Sequence, residues 1–525
     1  MKIKTIFTFV LFLSGIIILS IPAIGLADIT LPSIISDNMV LQQQSKVPIW
    51  GWAEPGEKVT VKTSWQNSRS YHAKADDNDK WTVKIDTPTA GGPYTINITG
   101  QNKISLNNIL IGEVWICSGQ SNMRWTVQNS DRPGAEIAAA DYPNIRLFDV
   151  PMKAAGSPQQ NCGGQWKLCS PNSISEFSAV AYFFGREIHQ QLDVPVGLVL
   201  SCWGGTPAEA WTKKQALESN PDLVPILERY QKALKVYPQK YEEYQKALKE
   251  HKQKVRQANA EGKKPPRAPS LPMGPENSWS PSGLYNAMIY PLIPYTIKGS
   301  IWYQGESNHL RAYQYRKLFP AMIKNWRDDW AQGDFPFYYV QIAPWHYANP
   351  TGTTSAELRE AQLMTLSVPH TGMAVTMDIG NLDNIHPKNK QDVGKRLSLW
   401  ALAKTYGKKN IVYSGPIYKS MKIEGNKIRL FFDFIGKGLT GKGYTPWNKG
   451  PLTYFTIADK DRKFVDAEAV IDGDTIVVSS PLVKKPVAVR YAWSNAPIPN
   501  FFNKDGLPAS PFRTDDWQGM TFKER

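Results

Sequence analysis

Val114-Trp115-Ile116-Cys117-Ser118-Gly119-Gln120-Ser121-Asn122-Met123 joins an apolar, strand-like run to a Gly-x-Ser turn. A serine at the end of such a run stands at a tight turn where a substrate can reach its hydroxyl. Ser121 is therefore a candidate nucleophile, and the question passes to whether the chain also supplies a base and donors for an oxyanion. From Ile109 onward, further apolar runs alternate with helical stretches: Val194 to Leu200 after a helix-like Val180 to Gln191, Ile301-Trp302-Tyr303 before a helix near Tyr313 to Trp326, Phe337 to Ile342 before a helix near Glu357 to Leu366, and Met373 to Met377. Strands alternating with helices predict an α/β core, a mainly parallel sheet covered on both faces. Active sites in such sheets lie at the C-terminal ends of the strands.

The flanking sequence reads differently. Residues 28–108 carry short alternating runs, such as Trp81-Thr82-Val83-Lys84-Ile85, separated by turn signals such as Glu54-Pro55-Gly56. This predicts a small N-terminal β-sandwich. After Gly407 short strands return, among them Ile428 to Phe432 and Val487 to Tyr491, and 407–525 is expected to form a C-terminal β-rich domain. The catalytic domain is then 109–406, interrupted by an insertion at about 206–298. In that insertion Tyr230-Gln231-Lys232-Ala233-Leu234-Lys235 recurs fourteen residues later as Tyr244 to Lys249, with Pro238 between. A helical hairpin or a bent helix is expected, followed by a loop from Lys263 to Pro275.

Lys2 and Lys4 precede an apolar stretch from Ile6 to Leu26, with small Gly25 and Ala27 at the spacing of a cleavage site. Residues 1–27 read as a signal peptide, Pro22 and the small residues favouring removal over a retained anchor, so an exported protein, periplasmic or extracellular, is expected. The net charge is +15, and basic residues outnumber acidic ones two to one between Lys213 and Arg267. That concentration reads as a solvated helical face; a nucleic-acid partner would call for a basic groove with interleaved aromatics. Of the four cysteines, Cys162 and Cys169 flank a Gly-Gly loop and are a candidate disulfide in an exported chain, whereas Cys117 and Cys202 sit in apolar runs and read as buried. No cysteine or histidine spacing suggests a metal site.

Seven histidines could serve as the base. His386 stands out in Asp383-Asn384-Ile385-His386-Pro387, just after Met373 to Met377, because an Asp three residues before a His can accept from Nδ1 and leave Nε2 free for a serine proton. Backbone donors for an oxyanion are offered by Ser201-Cys202-Trp203-Gly204-Gly205-Thr206-Pro207, and side-chain amides by Tyr303-Gln304-Gly305-Glu306-Ser307-Asn308, each following a strand.

Together with Gly283 to Ile289 and Leu358-Arg359-Glu360-Ala361-Gln362, these blocks resemble the sialate O-acetylesterase family of SGNH hydrolases over essentially the whole chain after residue 27. The resemblance implies a three-layer, flavodoxin-like SGNH core and a serine esterase acting on O-acetylated sialic acid or another O-acetylated glycan. It makes Ser121 the nucleophile, His386 the base and Asp383 its orienter, with the N–H groups of Ser121 and Gly205 at the oxyanion and no cofactor. Many SGNH enzymes carry Gly-x-Asn-Asp where this chain has Gln-Gly-Glu, so Gln304 is assigned as the amide donor, Asn308 as its alternate and Glu306 as a supporting group behind them. Asn122, Trp203, Gly204, Arg359 and His346 are candidates for the sugar pocket. Rival readings are an acetylxylan or other polysaccharide esterase and an inactive exported carbohydrate-binding protein.

Overall fold

The structure, a computed structural model, describes residues 28–524 apart from Asn67, Pro350 and 442–450. The signal-peptide reading of 1–27 lies outside the described residues. Among them no helix is long and apolar enough to cross a membrane.

One strand organises the molecule. Lys103–Gly119 is 17 residues long, and its burial changes character along its length: the first half alternates, while Ile109 to Gly119 is buried throughout. Alternation suits an antiparallel strand with one wet face, and continuous burial suits a parallel strand covered on both. The pairing follows this division. The first half pairs antiparallel with Gly91–Thr99 in the N-terminal β region. The second half pairs parallel with Val196–Cys202 on one side and Gly299–Tyr303 on the other. The boundary expected near residue 108 therefore falls inside a continuous strand, and no linker separates the N-terminal β region from the catalytic core.

The core sheet runs in the order Thr371–Ala374, Phe337–Val340, Gly299–Tyr303, Lys103–Gly119, Val196–Cys202, Tyr142–Asp149, Trp166–Cys169. All neighbours are parallel except the last pair. Alternate residues of the central strand face opposite layers. Trp115 and Cys117 pack with the helices Ala179–Leu192 and Lys390–Trp400, whereas Val114 and Ile116 belong to the cluster that includes Ala312–Trp330 and Thr354–Met364. This is the three-layer α/β arrangement the sequence predicts. Gly119 aligns with both Cys202 and Tyr303, so three loops leave the sheet at one level on its C-terminal edge.

The insertion is neither a hairpin nor broken at proline. Val224–Ala260 is a single 37-residue helix with Pro238 inside it, about 55 Å long at 1.5 Å per residue. Tilted tyrosine rings pack past the proline: Tyr237 lies 5.4 Å from Tyr241, which lies 6.0 Å from Tyr244. Of its side chains only Ile226 is buried, which explains the lysine-rich surface. The C-terminal β-rich region is tied to the core through the helix Thr354–Met364. Glu357 accepts from the Thr521 hydroxyl at 2.7 Å and from the Met520 N–H at 2.8 Å.

Candidate active site

At the end of the central strand the chain makes a turn that needs glycine. Gly119 has φ of +139°, and a Cβ there would collide with the Tyr303 carbonyl. Gln120 then donates its N–H to that carbonyl at 2.9 Å, and Ser121 opens the helical turn Ser121–Arg124. The Ser121 hydroxyl meets His386 Nε2 at 2.8 Å. For the serine to donate, Nε2 must be the unprotonated nitrogen. Burial, reinforced by the nearby Lys390 ammonium, lowers the His386 pKa below its ordinary value and favours that neutral ring. His386 is stacked on Trp125, with centroids 4.9 Å apart and planes 14° from parallel.

Two backbone N–H groups of the strand-end loops are left open. Among the described residues, neither the Ser121 N–H nor the Gly205 N–H donates to a protein acceptor. Gly205 has φ of +73° and open space where a Cβ would be, and a Cβ on Gly204 would sit 3.3 Å from that of Ser121. The glycine pair thus lets the backbone lie against the nucleophile. Trp203, half-buried, donates its N–H to the Gly119 carbonyl at 3.1 Å and ties the two strand ends together.

A sequence model of the SASA family, described as carbohydrate esterase, sialic acid-specific acetylesterase, matches residues 275–402. The chain is 30% identical to sialate O-acetylesterase of Rattus norvegicus over 91% of its own length and 93% of the relative's. The chain belongs to the sialate O-acetylesterase family. The human sialate O-acetylesterase is 29% identical over 91% of each chain. Among solved structures, a carbohydrate acetylesterase from Xanthomonas citri superposes with a TM-score of 0.78 at 36% identity, covering 93% of this chain and all of that one. As a member of the sialate O-acetylesterase family the protein is a carboxylic ester hydrolase.

Within this family site, several residues stand elsewhere than the sequence reading put them. Asp383 does not reach His386. Asn381 accepts the N–H groups of Asp383 and Asn384, and Asn384 accepts the N–H of His386 at 2.9 Å. These side-chain-capped turns wind the segment so that the Asp383 carboxylate is 91% exposed, 3.5 Å from His346 Nδ1. Gln304 is not an available donor. Its amide nitrogen is held by the Thr206 carbonyl and Asn308, and its oxygen accepts from Tyr315. Asn308 is likewise engaged, accepting from the Ala208 N–H and donating to Glu209 at 2.8 Å. Both amides brace the glycine loop from behind.

Arg359 is also removed from the sugar pocket. It is fully buried, and its guanidinium donates to the carbonyls of Ile342, Ser494 and Asn495 at 2.8–3.0 Å. It locks the C-terminal region to the core. Cys162 and Cys169 are free thiols. Cys169 faces the Ala140 carbonyl at 3.8 Å and Cys162 the carbonyl of Gly163, so the two point to different neighbours. Burial pushes both thiols up to about 12. Reduction of the native protein is expected to leave its mass unchanged and, at neutral pH, both thiols should alkylate slowly. A mass gain of two hydrogens on reduction would contradict this.

Two contributors were missed, Gln120 and Lys390. Glu306 does stand behind the site as a supporting group, but Asn122 is fully buried and lies in a cluster with Gln120 and Glu306 behind the serine instead of lining a sugar pocket, and Lys390 joins that cluster from the helix that follows the histidine. A lysine four residues after a histidine reads as solvated, and only the fold shows that Lys390 is fully buried.

Proposed function

We propose that the protein removes O-acetyl groups from sialic acids by two-step acyl transfer at Ser121. The observation that carries this reading is the 2.8 Å contact between Ser121 Oγ and His386 Nε2 beneath two open backbone N–H groups, in a chain aligned with sialate O-acetylesterases over 91% of its length. His386 takes the serine proton as Oγ attacks the acetyl carbonyl, and the N–H groups of Ser121 and Gly205 hold the oxyanion. Protonated His386 then gives its proton to the departing sugar oxygen. Water, deprotonated by His386, attacks the acetyl-enzyme and releases acetate and free Ser121.

Asp383 is proposed as the orienter of His386 in the working state. Among the described residues no hydrogen bond holds Nδ1 of His386, and Asp383 is three residues away on the same turn. Its present pair with His346 is exposed on both sides, and such pairs contribute only about 0–1 kcal/mol, so substrate binding can release it. Asp383→Asn is expected to lower kcat by about 10²- to 10⁴-fold with little change in KM. A variant of wild-type kcat would leave Asp383 as a surface partner of His346.

The pH profile follows from His386. Protonation removes the base, so kcat/KM should fall tenfold per unit as pH drops through a pKa below 6.5, the ordinary histidine value. An acid limb centred above that value would contradict the assignment.

The reading of 1–27 as a signal peptide extends the proposal to an exported enzyme. Sequencing the N-terminus of the mature protein should give Asp28 first. A start at Met1 would refute export by this route.

The Xanthomonas citri relative is described as a carbohydrate acetylesterase, which keeps a second substrate class in view, acetylated glycans such as xylan. Acetate release from O-acetylated sialic acid and acetylated xylan, measured side by side, separates the two. The sialic acid is expected to turn over with the higher kcat/KM, and the reverse order would assign the polysaccharide.

A further inference from the structure

The residues on either side of the nucleophile are both bonded to one buried carboxylate. Gln120 Nε2 donates to Glu306 Oε2 at 2.8 Å, and Asn122 Nδ2 donates to Glu306 Oε1 at 2.8 Å. Asn122 Nδ2 also donates to the carbonyl of Ile385, the residue before the base, at 3.0 Å. Its other end is held as well, since Lys390 Nζ donates to Asn122 Oδ1 at 2.6 Å. Gln120, Asn122, Glu306 and Lys390 are all buried. The Lys390 ammonium lies 5.2 Å over the Tyr303 ring and 6.0 Å over that of Trp125, the ring on which His386 is stacked.

We infer that Glu306 and Lys390, bridged by Asn122, are positioning residues that fix Ser121 Oγ against His386 Nε2 before substrate arrives. This rests on the proposed roles of Ser121 and His386. Glu306 clamps the nucleophile's turn from both sides. Asn122 carries that clamp across to the histidine loop, and the Lys390 charge opposes the burial that raises the Glu306 pKa. The opposite charges share one buried pocket, where Glu306 accepts from both amides and Asn122 accepts from Lys390, so neither charge stands uncompensated. The device answers a requirement of the reaction. A displacement of about 1 Å between nucleophile and base costs roughly 10²-fold in rate.

The charge of Lys390 has a second consequence at His386. Lys390 and burial depress the His386 pKa, while Glu306 and Asp131 act on Lys390 in the opposite sense, raising its own pKa against the desolvation that brings it to about 7. Asp383 and His346 face the same loop from the solvent side. Removing the ammonium should therefore raise the histidine pKa, an effect that a purely structural lysine would not produce.

The test uses the full-length enzyme with p-nitrophenyl acetate and O-acetylated sialic acid, with Ser121→Ala as control. Glu306→Gln keeps the shape but sets an amide NH₂ against one of the two incoming NH₂ donors. It is expected to lower kcat by about 10²-fold with KM changed less than threefold. Lys390→Met is expected to move the acid limb of kcat/KM to higher pH. If Glu306→Gln does not fold, Gln120→Met, which cuts one arm of the clamp, should lower kcat by about tenfold with KM held. Folded variants with wild-type kcat and an unmoved acid limb overturn the inference. A Ser121→Ala protein that still releases acetate overturns the underlying reading instead.

Discussion

Ser121→Ala is expected to lower kcat for acetate release by about 10⁴- to 10⁶-fold, on the scale seen when the nucleophile of a serine hydrolase is removed. The protein should fold as before, because Ser121 contributes only a hydroxyl at the mouth of the site, and among the described residues its one side-chain hydrogen-bond partner is His386. KM for O-acetylated sialic acid should change little, since the lost interaction forms a bond in the reaction rather than in binding. The residual rate would come from the backbone donors at Ser121 and Gly205, which the substitution leaves in place. A variant with more than a tenth of the wild-type kcat would place the nucleophile elsewhere.

Arg359→Leu should act through stability instead. The arginine is buried without a paired carboxylate, its guanidinium brought down to about 10 by burial, and its donors satisfy carbonyls from two regions of the chain. Leucine would leave the carbonyls of Ile342 and Ser494 without a donor among the described residues, while that of Asn495 keeps the Trp345 N–H at 3.2 Å. Each unsatisfied buried group costs about 1–3 kcal/mol, so a loss of roughly 3–5 kcal/mol is expected, on the scale measured when one member of a buried charged network is removed. Thermal unfolding should shift strongly downward, while kcat and KM at low temperature stay near wild type. A raised KM with unchanged unfolding would return Arg359 to the sugar pocket.

Ser121 and His386 were legible in the sequence because each lies in a short motif within nine residues after an apolar run, and chemistry at a strand end leaves short motifs. The α/β core was legible for a related reason: strands buried on both faces, such as Val196–Cys202, read as unbroken apolar runs. Elsewhere the sequence admitted two physical answers. The Asp-x-x-His spacing allows an aspartate–imidazole bond, but Asn381 and Asn384 cap the same backbone and turn Asp383 outward. A strand-end amide such as Gln304 can donate to an oxyanion or brace a loop, and the neighbouring Thr206 carbonyl and Asn308 decide for the loop. A proline such as Pro238 ordinarily ends a helix, and the tilted tyrosine contacts beside it in the unbroken helix are visible only in three dimensions. The cluster around Glu306 was the least legible part, since its members come from two strand ends and a helix start.

Acid quenching during steady-state turnover of O-acetylated sialic acid, followed by peptide mass analysis, tests the central claim most directly. The account predicts an acetyl group on the peptide containing Ser121, absent in Ser121→Ala and lost on incubation at neutral pH. Acetate release with no acetyl group on Ser121 at any time during turnover would contradict it.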